Sequence, residues 1–247
     1  MNLLILFKDP IRVKYAYESS PLLKVERCEV ISIGMHTLKV LKEISFPVKA
    51  NRIRVLWPNG GYYSNTWYCG FSPPYNDRIC YKEQMIILKN FLKLQKKYSQ
   101  LSLTVKLYHG TYVHDNPPWV TDLQNINRIK IVYEKPNFVN LLYEHDIVII
   151  ESPTTTLLQA IATGLPVFVL TSIITPPRAD LPLLMKRAVC AENAEELMDK
   201  LEEYLKTGHY PADINSREYL KLHGTHLDDG EGHLRALKVL NDVMDIK

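Results

Sequence analysis

Short apolar or β-branched runs alternate along the chain with longer segments in which apolar residues recur at helical spacing. The runs predict strands at Cys28–Ile33, Ile53–Trp57, Leu103–Leu107, Arg128–Val132, Asp146–Ile150 and Pro166–Leu170. Helical spacing predicts helices at Thr37–Ile44, Tyr81–Tyr98, Asn137–His145 and Thr154–Thr163. After Leu170 the pattern turns mainly helical, with segments at Ala194–Lys206, Asn215–Leu222 and Asp229–Met244. The runs VII and VFVL lack any polar alternation. A strand with one wet face alternates, whereas a parallel strand covered by helices on both faces does not. The order of elements therefore predicts an α/β fold: a doubly wound, mostly parallel, Rossmann-like sheet with a helical C-terminal segment. The stripe in MIILKNFLKL, 85–94, is the expected core face of its helix. The stretch 58–80 shows neither period and is rich in Gly, Pro, Asn and Tyr. Loops of that length in compact domains are functional or mobile.

Length changes the picture little, since 247 residues fit one large domain or two small ones. Charge narrows it further. Charged residues make up 23% and the net charge is +3, with no arginine-rich arm, so nucleic acid is not an expected partner. Cys28, Cys69, Cys80 and Cys190 are far apart and form no C-x-x-C pair, which argues against a zinc site and a disulfide framework. The opening MNLLILFKDP is too short an apolar run for a signal peptide and carries its charge after that run. No apolar stretch approaches the ~20 residues of a membrane span. These features predict a cytoplasmic protein, with contact at the inner face of the cell membrane left open.

The chemistry concentrates where the strand ending at Ile150 runs through Glu151, Ser152 and Pro153 into Thr154, Thr155 and Thr156. In open α/β sheets ligands bind beyond the carboxyl ends of the strands. A helix starting there offers unpaired backbone N–H groups and a positive dipole end, both of which favour phosphate. The alternative is that Thr154 is simply an N-cap worth ~1 kcal/mol. One oxygen satisfies a cap, so the other hydroxyls point toward a ligand. Gly164-Leu165-Pro166 is ordinary helix-stop chemistry and carries no such signal.

The segment DIVIIESPTTTLLQAIATGLPV, 146–167, resembles the donor-binding half of GT-B glycosyltransferases. It is most similar to bacterial surface-polysaccharide enzymes and the CDP-glycerol glycerophosphotransferase-like group. RVLWPNGG at 54–61 resembles the strand and phosphate-contacting loop that open the donor domain in that group. LTVKLYHG at 103–110 is similar to its Lys-x-His strand end, and LKLHGTHLDDGEGHLRALKVL at 220–240 to its final helical segment. The resemblance runs from about Arg27 to the C-terminus. It implies a donor-binding domain over 27–247, with 1–26 an N-terminal extension or remnant of an acceptor domain.

The resemblance implies that Gly60 and Gly61 let the backbone approach a donor diphosphate, which Lys106 and His109 face from the neighbouring strand end. Ser152, Thr154, Thr155 and Thr156 would add hydroxyl and N–H donors. Gln159 stands where many such enzymes hold the donor ribose with a glutamate, and here the stronger charged acceptor is lost. His109 is the implied catalytic residue, as proton donor or phosphate contact. No metal and no cofactor are implied; the partner is a nucleotide-sugar or CDP-polyol donor. A complete GT-B enzyme has two such domains, so the implied protein partner is an acceptor-domain subunit or a second copy of the chain.

The readings left open are a transferase or transferase subunit, a non-catalytic GT-B half that completes a partner, and a sugar-nucleotide epimerase. Two other clusters carry candidate chemistry. His223, His226, Asp228, Asp229, Glu231 and His233 match no standard zinc spacing and suit helix capping and surface charge. Tyr62, Tyr63, Trp67, Tyr68, Phe71 and Tyr75 could stack on a sugar or base, or pack on themselves or a partner.

Overall fold

The structure is a computed structural model, and it describes residues 2–6, 28–32, 51–60, 77–107, 117–224 and 231–245. Elements follow in the order β1 (Asn2–Leu6), β2 (Cys28–Ser32), β3 (Ile53–Pro58), α1 (Asp77–Lys97), β4 (Leu101–Lys106) and α2 (Trp119–Leu123). Next come β5 (Ile129–Val132), α3 (Phe138–Leu142), β6 (Ile147–Ile150), α4 (Thr155–Ile161) and β7 (Val167–Leu170). The chain continues through α5 (Leu181–Arg187), β8 (Val189–Ala191), α6 (Ala194–Thr207), α7 (Glu218–His223) and α8 (Gly232–Asp245). It forms two compact units, 43–215 and a second made of 1–42 with 216–247.

In the larger unit six strands form one parallel sheet in the order β5-β4-β3-β6-β7-β8. The chain builds outward from β3 through β4 to β5, then returns to the other side of β3 and builds outward again. That reversal is the switch point of a doubly wound Rossmann-like sheet, and in such sheets the ligand crevice lies beyond the carboxyl ends of the two strands at that point, here β3 and β6. Both faces are covered, as the apolar runs predict. On one face Val55, Val105, Ile149 and Phe168 pack with Ile87, Phe91 and Leu94 of α1 and Leu197 and Leu201 of α6. The other face turns Leu56, Val148, Ile150, Val167 and Val169 toward α3 and α4, whose Leu141, Leu142, Leu157 and Ile161 are buried too.

Local chemistry fixes the ends of these elements. Asn193 caps α6 by accepting the Glu196 N–H at 2.9 Å, and the Glu196 carboxylate accepts the Glu192 N–H at 2.8 Å, a reciprocal cap. Gly208 ends α6 in the left-handed region at φ 70°, where a side chain would be penalised. Buried Glu83 accepts the Ala194 N–H at 2.8 Å and so ties α1 to the positive end of α6. Arg54 and Asp146 form a two-pronged pair at 3.0 and 3.1 Å at the opposite end of the sheet from the crevice. The same carboxylate also takes the Arg54 N–H, which pins the β3–β6 register.

The smaller unit contains β1 and β2, paired in parallel from Asn2↔Cys28 to Leu6↔Ser32, together with α7 and α8. The strand expected at Cys28–Ile33 thus belongs to this two-stranded sheet rather than to the large one. The expected helix Thr37–Ile44 lies outside the described residues.

Candidate functional site

Two turns meet at the crevice. β3 ends at Pro58 and continues into Asn59 and Gly60; β6 ends at Ile150 and continues into Glu151. Glu151 ties them together. The residue is 2% exposed, and its carboxylate accepts three N–H donors: the Gly60 backbone amide, the Trp57 indole Nε1 at 3.0 Å and the Gln84 side-chain amide at 2.9 Å. Gln84 is held in turn by the Trp119 indole, which donates to its carbonyl oxygen at 3.0 Å, while the Trp119 ring stacks on Trp57 at 5.6 Å. Residues from β3, α1, α2 and the β6 turn therefore form one buried polar network. Burial pushes the Glu151 carboxyl up to about 7, because desolvation outweighs the three donors that favour the anion. The sequence signal was an acid closing a wholly apolar strand; its partners, 67 and 94 residues away, were not legible.

Gly60 was expected to bring backbone to a diphosphate, and the structure shows how its N–H is engaged, on Glu151. Its carbonyl accepts the Asn59 side-chain amide at 2.9 Å. Gly61 and His109 lie outside the described residues, as do the six aromatic residues of the long loop and His226, Asp228 and Asp229.

Lys106 closes β4, level with Pro58 on β3. It is buried, and its ammonium donates to the Tyr133 carbonyl and, at 3.1 Å, to the Glu134 carbonyl, which follow β5. Those partners lie on the side of β4 away from β6, so Lys106 does not stand beside the threonine turn: β3 runs between β4 and β6. Desolvation lowers its pKa from the usual lysine value. Lys106→Met should destabilise the protein by about 1.5–3 kcal/mol, the usual range for hydrogen bonds that involve a charged group. Urea unfolding measures this, and a change below a few tenths of a kcal/mol would show the tether to be dispensable.

The threonine turn departs from a simple cap. Thr154 occupies the N-cap position of α4, yet its side chain makes no capping hydrogen bond; its Oγ1 lies 3.2 Å from Thr156 Oγ1. Thr154 and Thr155 are exposed and Thr156 half-buried. Ser152 Oγ is buried and finds no hydrogen-bond partner among the described residues. Gln159 is half-buried on α4. Among the described residues, no group of His, Cys, Asp or Glu is arranged to hold a metal ion, and no helix is long and apolar enough to cross a membrane.

No protein-family model matches the chain, and no curated protein matches it. Solved structures do, through the fold. The S. aureus MnaA–UDP co-structure aligns with a TM-score of 0.56 at 14% identity, covering 100% of this chain and 60% of that one. The Neisseria meningitidis UDP-GlcNAc 2-epimerase bound to UDP-GlcNAc gives 0.50 at 16%, covering 81% and 48%. The pneumococcal O-GlcNAc transferase GtfA, in complex with UDP and GlcNAc, gives 0.51 at 10%, covering 99% and 46%. The chain thus has the fold of a Rossmann-like GT-B half, shared by glycosyltransferases and sugar-nucleotide epimerases. It spans between 46% and 60% of the length of these three proteins.

Proposed function

We propose that the chain binds a nucleotide-activated donor, a sugar or polyol phosphate, as the donor half of a transferase in bacterial surface-polysaccharide biosynthesis of the CDP-glycerol glycerophosphotransferase-like kind. The observation that carries this reading is the meeting of the Asn59-Gly60 turn and the Ser152–Thr156 turn at the switch point of the sheet. The Ser152 hydroxyl, which has no partner among the described residues, and the Thr154 hydroxyl, which makes no capping bond, add donors beside it. Transfer builds negative charge on the leaving diphosphate, and fixed N–H and O–H donors aimed at that charge are the main contribution such a site can make. Ser152, Thr154, Thr155 and Thr156 would supply them, Gly60 and Gly61 would let the backbone come close to the diphosphate, Gln159 would hold the ribose, and His109 would donate a proton or a phosphate contact. Lys106 acts there by holding the β4 and β5 ends, and an acceptor-domain partner or a second copy completes the enzyme.

Titration calorimetry with CDP, UDP and GDP tests this reading. One of the three should bind, and Thr155→Val should weaken that binding roughly fivefold, as loss of one hydroxyl hydrogen bond worth about 1 kcal/mol does. The absence of binding by all three would end the donor-site reading. The likeness to the Neisseria epimerase favours a second reading, a sugar-nucleotide epimerase-like protein. Proton NMR of UDP-GlcNAc incubated with the protein separates them: formation of the 2-epimer supports the epimerase, and transfer or donor hydrolysis the transferase.

A further inference from the structure

A diphosphate resting against the Gly60 turn sits next to a group that opposes it. The Gly60 amide already donates to Glu151, so ligand and carboxylate meet at the same short piece of backbone. Among the described residues the groups facing Glu151 are neutral: the Trp57 indole and Gly60 amide from β3 and its turn, and Gln84 from α1, with Trp119 of α2 behind it. No cationic side chain pairs with it among the described residues. Glu83, beside Gln84, is turned to the α6 amide, and the Lys106 ammonium is bound to carbonyls beyond β5. A buried carboxylate held only by neutral donors keeps its negative charge unscreened, and added negative charge close by favours its neutral form.

We propose that Glu151 couples binding of the anionic donor to uptake of one proton: the carboxylate that holds the Gly60 turn in the free protein becomes a carboxylic acid when a diphosphate occupies the ends of β3 and β6. The inference rests on the nucleotide-donor reading above. The proton comes from the buffer and forms an O–H bond on a Glu151 carboxylate oxygen; no other bond changes. The neutral acid keeps one oxygen as acceptor for a turn N–H, so the turn can stay in place while the repulsion disappears. Burial that holds the free carboxyl near 7 sets the window of the effect, between about 7 and the higher value in the complex. A bound nucleotide sugar is a diphosphate diester whose own charge is constant there, so any pH dependence belongs to the protein.

The experiment is titration calorimetry of the whole chain with UDP-GlcNAc, and in parallel with CDP-glycerol, at pH 6, 7 and 8. Each pH is run in two buffers of different ionisation enthalpy. In the wild type, affinity should fall up to about tenfold from pH 6 to pH 8. The buffer dependence of the heat at pH 8 should report uptake approaching one proton, a readout that needs no variant. Glu151→Gln should bind with little change over the same range and release no buffer-dependent heat. Binding by the wild type that is equally tight at pH 6 and 8 with no proton uptake would overturn the coupling and leave the donor reading intact. A slope retained in Glu151→Gln would overturn it too, by assigning the proton elsewhere. Absence of binding by both probes at every pH would overturn the coupling, while the donor reading stands or falls on the titrations with CDP, UDP and GDP.

Discussion

Arg187→Met lowers the unfolding free energy by about 3–5 kcal/mol, an effect of the size reserved for breaking buried networks. Arg187 closes α5 and is fully buried. Its guanidinium donates to the Ile161 carbonyl at 3.3 Å, the Thr163 carbonyl at 2.7 Å and the Leu165 carbonyl at 2.9 Å. These are carbonyls that the end of α4 and the turn after it cannot satisfy within the helix. Methionine matches the length and apolar bulk of the arginine stem, so packing is retained while the donors are lost. Each buried carbonyl left unpaired costs about 1–3 kcal/mol, softened where a second partner exists. Arg187→Lys should fall between the two, since an ammonium cannot reproduce the fork. For a protein of this size the methionine variant should melt on the order of 10 °C lower. A change below 1 kcal/mol in urea unfolding would mean that the α4–β7 turn rests on other contacts.

One of those contacts is visible. The Tyr210 hydroxyl accepts the Val167 N–H at 3.1 Å and meets the Val167 and Arg187 carbonyls at 3.0 Å, so it joins the start of β7 to the end of α5. Together with Arg187 it fixes the strand that follows the threonine turn. The turn at the crevice is thus supported from behind by groups that have no chemistry of their own.

How much of this could be read from residues alone follows from the range of the forces involved. β6 and β7 were legible because burial on both faces demands uninterrupted apolar runs, and β3, β4 and β5 because their apolar and β-branched residues recur at strand spacing; the observed ends of all five differ from the expected ones by a residue or two. The MIILKNFLKL stripe was legible because apolar residues at helical spacing mark the one face that a helix buries, with Ile87, Leu88, Phe91 and Leu94 buried. β8 was missed because VCA is too short to show a period. α5 was missed because Pro182 reads as a breaker, whereas in the first turn of a helix its missing N–H is not needed. β1 was not legible because an apolar run as short as NLLIL fits a strand or a buried helical turn equally well. At the site, the turn at 151–156 was conspicuous because polar groups break an apolar pattern. What Lys106 and Glu151 touch was not, because carbonyls of Tyr133 and Glu134 and the Gln84 amide reach them only through the strand order.

The other large effect concerns pH, and it arises from Glu151 in the absence of any ligand. In the unfolded chain this carboxyl titrates near its ordinary value of 4.5; in the native protein burial holds it at about 7. Between those values the native state keeps a proton that the unfolded chain has released. Stability contributed by Glu151 is therefore full below about 4.5, declines as pH rises to about 7, and is gone above it. The gap converts to about 3 kcal/mol at 1.36 kcal/mol for each pKa unit. Other titrating groups, such as buried His145 with its lowered pKa, shift stability as well, so the wild type must be compared with Glu151→Gln at each pH. A glutamine has nearly the same shape, offers an oxygen to the Gly60 amide and does not titrate; its NH₂ faces donors, which adds a constant penalty at all pH values. The difference in unfolding free energy between wild type and Glu151→Gln should therefore move by about 2–3 kcal/mol between pH 5 and pH 8, in favour of the variant at pH 8. A difference that stays within 0.5 kcal/mol across that range, as an order-of-magnitude threshold, would mean that the native carboxyl titrates near 4.5 after all. The buried network would then hold an ordinary anion at no expense, and the Gly60 turn would lose the proton-sensitive group on which the coupling to a donor depends.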